Sequence, residues 1–280
     1  MSIYETGLYF FIYAILGWCA EVAFAAVKER KFVNRGFLNG PLCPIYGAGV
    51  VTVAVLLEPF HDRLLLLYLA SAVLTTVMEG LTGWALDRLF HHKWWDYTGM
   101  PLNIGGYVCL PFSLVWGAAC VAIVKVIHPA VEDLVAFLPK LPGMILLLLM
   151  CCGLGADLAV TVNGILKWNR QLDALDKIAA DLRKLSGYMG ENIYENVMDT
   201  IELHEKLDAA VEERKDQAEE HFRQAQERIL QAEELKARYR ALAERTLRDG
   251  RRLVRAFPGI QSRRHKELLE RIRERIRQER

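Results

Sequence analysis

The sequence predicts an all-α fold: a polytopic membrane bundle of about five transmembrane helices followed by a long cytoplasmic, coiled-coil-like helical tail. Three observations predict it. Long apolar runs fill residues 1–168, charges crowd the chain from Arg170 onward, and no proline interrupts the good helix formers between Gln171 and Leu247. The overall figures of 52% hydrophobic and 25% charged residues, with a formal net charge of +1, average two unlike halves. Two domains follow, a transmembrane domain over 1–168 and a helical tail over 169–280.

A bilayer core of about 30 Å needs about 20 apolar helical residues. Segments 6–27, 42–58, 64–86, 105–127 and 142–166 approach that length. The first is expected to stay as a membrane helix, because no basic leader precedes it and it runs into a charged loop without a small-residue cleavage site. The second begins among Gly40, Pro41, Pro44 and Gly47, so its regular helix is expected to start late. With the N-terminus outside, Lys28, Arg30, Lys31, Arg35, Arg88 and Lys93 fall in inner loops, against Arg63, Lys125 and Lys140 outside. This orientation satisfies the positive-inside rule and leaves the charged tail in the cytosol. The six cysteines sit in or beside apolar stretches without metal or redox spacing and read as small buried residues.

The first and third spans share a pattern. Gly17-Trp18, Glu21 and Phe24 have the spacing of Gly83-Trp84, Asp87 and Phe90. Each copy is followed by a polar loop, then Pro41-Leu42 or Pro101-Leu102, then another span. Two helical hairpins related in parallel by an axis along the membrane normal are expected. Gly17 and Glu21 stand four residues apart, as do Glu79, Gly83 and Asp87, so each set forms one stripe with glycine permitting close approach. Glu79 lies about 12 Å further along its helix than Asp87, at a depth where a carboxylate must face protein or water. A polar cleft open to the cytosol is expected. Its acids either bind a cation, proton or basic substrate, or pair with Arg35, Arg88 and loop amides to pin the hairpins together.

The inner loops carry Asn34 and Arg35 in the first, and Trp94, Trp95, Asp96, Tyr97 and Asn103 in the second. The aromatics suit a membrane interface. Asn34, Arg35, Asp96 and Asn103 add polar groups beside helix starts, where an anion or a carboxylate is favoured. His91 and His92 diverge on a helix and supply too few ligands for a metal, so no metal or other cofactor is expected.

These loop sequences resemble a known family. The stretch Asn34-Arg35-Gly36-Phe37-Leu38-Asn39-Gly40-Pro41-Leu42-Cys43-Pro44-Ile45-Tyr46-Gly47, with Trp94-Trp95-Asp96-Tyr97 and Asn103-Ile104-Gly105-Gly106-Tyr107, is similar to the bacterial family called putative ABC-transporter type IV, or CmpB-like. The resemblance covers about residues 5–165. It implies a permease-like subunit in the bacterial inner membrane that depends on a separate ATPase, since no G-x-x-x-x-G-K-[ST] phosphate loop is present. No hydrolase G-x-S-x-G or zinc H-E-x-x-H pattern appears either, so the reading leans away from an enzyme.

The tail lies outside the resemblance. Residues 170–235 hold 9 basic and 17 acidic side chains, whereas 236–280 hold 16 and 6. Opposite charge invites folding back, self-association or contact with anionic lipid. A heptad reading places Val211, Ala218, Ala225, Ala232 and Tyr239 at one seam position and Lys215, Phe222, Ile229, Lys236 and Ala243 at the other. That seam is weak, which favours an antiparallel hairpin or loose coiled coil. Basic residues interleaved with acids, without an aromatic platform, do not fit nucleic-acid binding. The candidate substrate-binding set is Glu21, Asn34, Arg35, Glu79, Asp87, Trp95, Asp96 and Asn103. The alternatives to a permease are a scaffold or sensor that recruits partners through the tail, and an interfacial enzyme acting on lipid.

Overall fold

The computed structural model describes the backbone of residues 1–203 and 211–278 and the side chains of 1–188, 220 and 222–278. About 80% of it is helical. It divides into two units: residues 1–167 with 250–280, and Trp168–Asp249.

The first unit begins with α1 (Ile3–Glu29), whose start is held by a capping box. The Ser2 hydroxyl accepts from the Glu5 amide at 3.3 Å, and the Glu5 carboxylate accepts from the Ser2 amide at 2.8 Å. After a loop come α2 (Pro44–Leu56) and, following a short turn, α3 (Leu64–Phe90). A second loop leads to α4 (Leu110–Ala122), a widened π-type turn (Ile123–Ile127) and α5 (His128–Phe137). The widened turn stands just before Pro129, whose ring and missing N–H disrupt a regular helical ladder. The front part of α6 (Lys140–Leu203) closes the apolar region.

Among the described residues, four helical stretches are long and apolar enough to cross a membrane: Ile3–Glu29, Leu64–Phe90, Leu110–Phe137 and the front of α6. The fifth expected span, α2, has 13 residues and reaches only about 20 Å. Its regular helix starts at Pro44, as the proline and glycine content predicts. The fourth starts at Leu110 rather than near 105, because residues 104–108 form a tight turn closed by an Ile104–Val108 bridge.

Within the unit α1 packs on α2 and α3 on α4, giving two hairpins. Away from the loops they are joined by apolar clusters. Leu8, Tyr9 and Tyr13 of α1 meet Val50 of α2 and Val131 and Val135 of α5, and Val53 meets Leu67, Cys120 and Val124. The opposite stripe of α3, Leu65, Leu69, Val73, Val77 and Leu81, is exposed at a spacing of four, the face a lipid-contacting helix presents.

Residues 250–280 group with this unit. The end of α7 (Val211–Ala256) stops before Pro258, and the chain then pairs with the second loop. Strand β1 (His92–Lys93) runs antiparallel to β2 (Gln261–Ser262), with His92 opposite Ser262. Trp94 is buried against Phe37 and Phe257, at ring separations of 5.2 and 4.9 Å. Helix α8 (Lys266–Gln278) buries Leu269, Ile272 and Ile276 along one stripe.

The second unit comprises Trp168–Leu203 of α6 and Val211–Asp249 of α7. The Trp168 indole donates to the Thr246 carbonyl at 3.1 Å, and Gln171 donates to Asp249 at 2.9 Å, while Leu172 and Leu175 are buried nearby in sequence. The chain therefore leaves and returns to one place, as an antiparallel pair of helices does. Of the heptad positions, Phe222 and Ile229 are exposed; the side chains of Val211, Lys215 and Ala218 lie outside the described residues.

Candidate functional site between the hairpins

The repeated glycine and acid build the same local device twice. A Cβ on Gly17 would stand 2.4 Å from Cβ and Cγ of Tyr46, so only glycine lets that tyrosine lie against α1. The Tyr46 hydroxyl then donates to Glu21 at 2.6 Å. In the second hairpin a Cβ on Gly83 would meet the Tyr107 ring at 3.1 Å, and the Tyr107 hydroxyl donates to Asp87 at 2.5 Å. Each acid is also paired with an arginine. Arg35 reaches Glu21 at 3.0 Å from the loop directly after α1, whereas Asp87, almost fully buried, takes Arg263 at 2.6 Å from the C-terminal segment. The Asp87 charge, assisted by Tyr107, raises the Arg263 guanidinium above its ordinary value.

The repeat is imperfect elsewhere. The Trp18 indole donates to Asn34 at 2.9 Å, while its counterpart Trp84 is exposed. The second glycine is instead covered by Trp95, whose indole donates to the Tyr107 carbonyl at 2.8 Å.

Glu79 has a different environment. It accepts from the Tyr97 hydroxyl at 3.1 Å, and the Trp116 side chain is close by. Its Oε2 is buried without a well-formed hydrogen bond, and it makes no ion pair with a described residue. Tyr97 stacks on Phe112 at 5.0 Å, and Tyr46 meets Trp116 edge-on at 5.8 Å. Burial first, then the Glu79 charge and more weakly that of Glu21, raise the Tyr97 phenol. The structure thus brings Glu21 and Glu79 to a common aromatic cluster formed by Tyr46, Tyr97 and Trp116.

The remaining predicted residues knit the loops. Asn34 accepts from Trp18 and from the Gly36 amide and donates to the Asn39 carbonyl. Asn103 donates to the carbonyls of Thr98 and Met100. Asp96 takes hydrogen bonds from the Thr98 amide and hydroxyl and from Gln261, with Lys93 at 3.8 Å. Burial alone would raise the Asp96 carboxyl, but these donors hold it below its usual value. Gly106, at φ 76°, leaves room for it, since a Cβ there would stand 2.3 Å from Asp96 Oδ1.

Three groups escaped the sequence reading. Asp157 on α6 accepts from the Asn39 amide, the Asn39 side chain and the Gly40 amide at 2.7–3.0 Å, tying the first loop to that helix. A lone acid in so apolar a run was a usable signal. Arg252 donates to the carbonyls of Gly36, Phe37 and Leu38, and Arg263 lies in the basic end of the tail; neither has a local signature. Among the described residues no group of acids, histidines and cysteines could hold a metal ion.

Residues 8–162 match the family model described as putative ABC-transporter type IV, more than half of the chain. The chain belongs to this family. Together with its apolar helices, the membership makes it a transporter-related membrane protein. The type IV region contains Glu21, Arg35, Tyr46, Glu79, Asp87, Tyr97, Tyr107, Trp116 and Asp157, but Arg252, Gln261 and Arg263 lie beyond it. Neither the curated proteins nor the solved structures include a match to the chain.

Proposed function

We propose that the chain is a permease-like membrane subunit of a bacterial transporter, with its N-terminus outside, its loops and C-terminal helices in the cytosol, and a polar site opening to the cytosol between the hairpins. The observation that carries this reading is Glu79. Glu21 and Asp87 are already neutralised by arginine, whereas Glu79 is met by neutral groups, the Tyr97 hydroxyl and the Trp116 indole, and by no cation among the described residues. A carboxylate at that depth in an apolar helix is retained where it serves a cation, a proton or a basic substrate, and Tyr97 and Trp116 add aromatic faces that favour cations. Glu21 and Arg35 flank this site, with Asn34, Asp87, Trp95, Asp96 and Asn103 shaping its loop side. The chain carries no phosphate-binding loop of its own, so a separate ATPase subunit supplies the energy.

The test is flux of labelled inorganic cations, polyamines and basic amino acids in inside-out membrane vesicles that contain the chain. Glu79→Gln should abolish the movement of whichever compound the wild type carries. The exposed Phe222 and Ile229 favour a second reading, a scaffold that recruits a partner helix. That reading takes precedence if Glu79→Gln leaves function intact while Phe222→Ser with Ile229→Ser removes it.

A further inference from the structure

At the loop end of the first unit, Lys28 and Glu29 of α1, Arg35 of the first loop, Arg255 of α7, and Arg273 and Arg277 of α8 surround a cavity of about 250 Å³. Five cations against one carboxylate leave a formal excess of four positive charges. Arg35 is partly offset by Glu21, and Arg273 donates to the Ile260 carbonyl. The Nε–H groups of Arg255 and Arg273 are nevertheless buried without a hydrogen-bond partner. Like charges gathered from three separated segments repel one another unless an anion occupies the space between them. Orphaned guanidinium donors cost free energy until an acceptor satisfies them.

We propose that this cavity binds a phosphate group. Guanidinium forks match phosphate oxygens with paired hydrogen bonds. The volume falls below the ~300–1,000 Å³ of pockets for larger ligands, which suits one small anionic group. Its place at the end of a membrane-length helix, where Lys28 and Arg35 lie over the exposed Phe24 ring, puts it where an anionic lipid headgroup would lie. Because α8 supplies two of the cations, occupancy would also hold the C-terminal helix against the end of α1. Glu79 is not among the residues that line the cavity; Arg35 is, and it joins this cavity to the Glu21 side of the site between the hairpins.

The test uses the full-length chain in neutral detergent. It is titrated separately with inorganic phosphate, short-chain phosphatidic acid and short-chain phosphatidylcholine while the thermal midpoint is read. A ligand that binds the folded state raises the midpoint with concentration. Phosphatidic acid, alone or together with inorganic phosphate, should raise it and phosphatidylcholine should not. Response to both anions means that free phosphate suffices; response to phosphatidic acid alone assigns a lipid headgroup. Arg255→Gln with Arg273→Gln should weaken the effect at least about tenfold, and Glu79→Gln should leave it unchanged. If the double variant does not fold, Lys28→Gln with Arg277→Gln, both on exposed side chains, should weaken binding about threefold or more. No response to either anion in the wild type, an equal response in the folded variants, or an equal response to phosphatidylcholine overturns the proposal.

Discussion

Gly17→Ala tests the packing that delivers Tyr46 to Glu21. The added Cβ would stand 2.4 Å from Cβ and Cγ of Tyr46, against about 3.5–4.0 Å for an ordinary carbon contact. These atoms lie at the root of the tyrosine side chain and cannot swing aside, so α1 and α2 must separate by about 1 Å. Such overpacking costs about 1–3 kcal/mol. The same displacement stretches the 2.6 Å Tyr46–Glu21 hydrogen bond beyond useful length, which adds about 0.5–1.5 kcal/mol. Alanine returns about 0.5–1 kcal/mol through its better helix propensity. The net cost is about 0.5–4 kcal/mol, or a fall of about 1–16 °C in the thermal midpoint. Gly49→Ala is the comparison, because Gly49 lies on the same helix as Tyr46 and nothing stands within 4 Å of its added Cβ. That variant should melt at or slightly above the wild-type temperature. If Gly17→Ala melts with Gly49→Ala, the close approach of the first hairpin is refuted.

Three further outcomes follow from the loop contacts. Asp157→Ala strands the Asn39 and Gly40 amides and should cost about 1–3 kcal/mol, with faster hydrogen exchange confined to residues near 39–40; Asp157→Asn should cost less. Arg252→Gln should raise exchange at the amides around Gly36–Leu38 without altering α3, because its guanidinium donates to the carbonyls of that turn. Asp96 gives a pH dependence whose sign is set by its depressed carboxyl. Its contribution is complete above the unfolded value of about 3.9 and is lost as pH falls through the lower folded value. Fluorescence of the nearby indoles should therefore report loosening of the second loop below about pH 4, and Asp96→Asn should flatten that dependence.

The membrane helices were legible because apolar length is a strong signal, and the repeat was legible because Gly17 with Glu21 and Gly83 with Asp87 keep identical spacing. The tyrosines that complete the two devices were less visible. Tyr46 and Tyr107 follow their Pro-Leu pairs at slightly different distances, and the loops before them differ in length and internal bonding. Arg263 was invisible for a deeper reason. It lies more than 170 residues from Asp87 in the chain, and only the turn at Phe257-Pro258-Gly259 and the β1–β2 pairing bring it there. One acid thus takes its arginine from its own loop, while its counterpart borrows one from the far end of the chain. Asn34, Asp96 and Asn103 were singled out as polar groups beside helix starts; Asn34 and Asn103 bond mainly to loop backbone, and Asp96 mainly to the side chains of Thr98, Gln261 and Lys93. Asp157 shows the opposite case, a readable signal that the emphasis on the repeat passed over.

Direct binding to the site between the hairpins tests the central claim most closely. Equilibrium titration of the purified chain with the panel of inorganic cations, polyamines and basic amino acids, in wild type, Glu79→Asp, Glu79→Gln and Arg263→Gln, separates that site from the rest of the molecule. The account predicts a ligand bound by the wild type, more weakly by Glu79→Asp, not at all by Glu79→Gln, and still by Arg263→Gln. Equal affinity in wild type and Glu79→Gln, or no binding by the wild type to any compound in the panel, would contradict it.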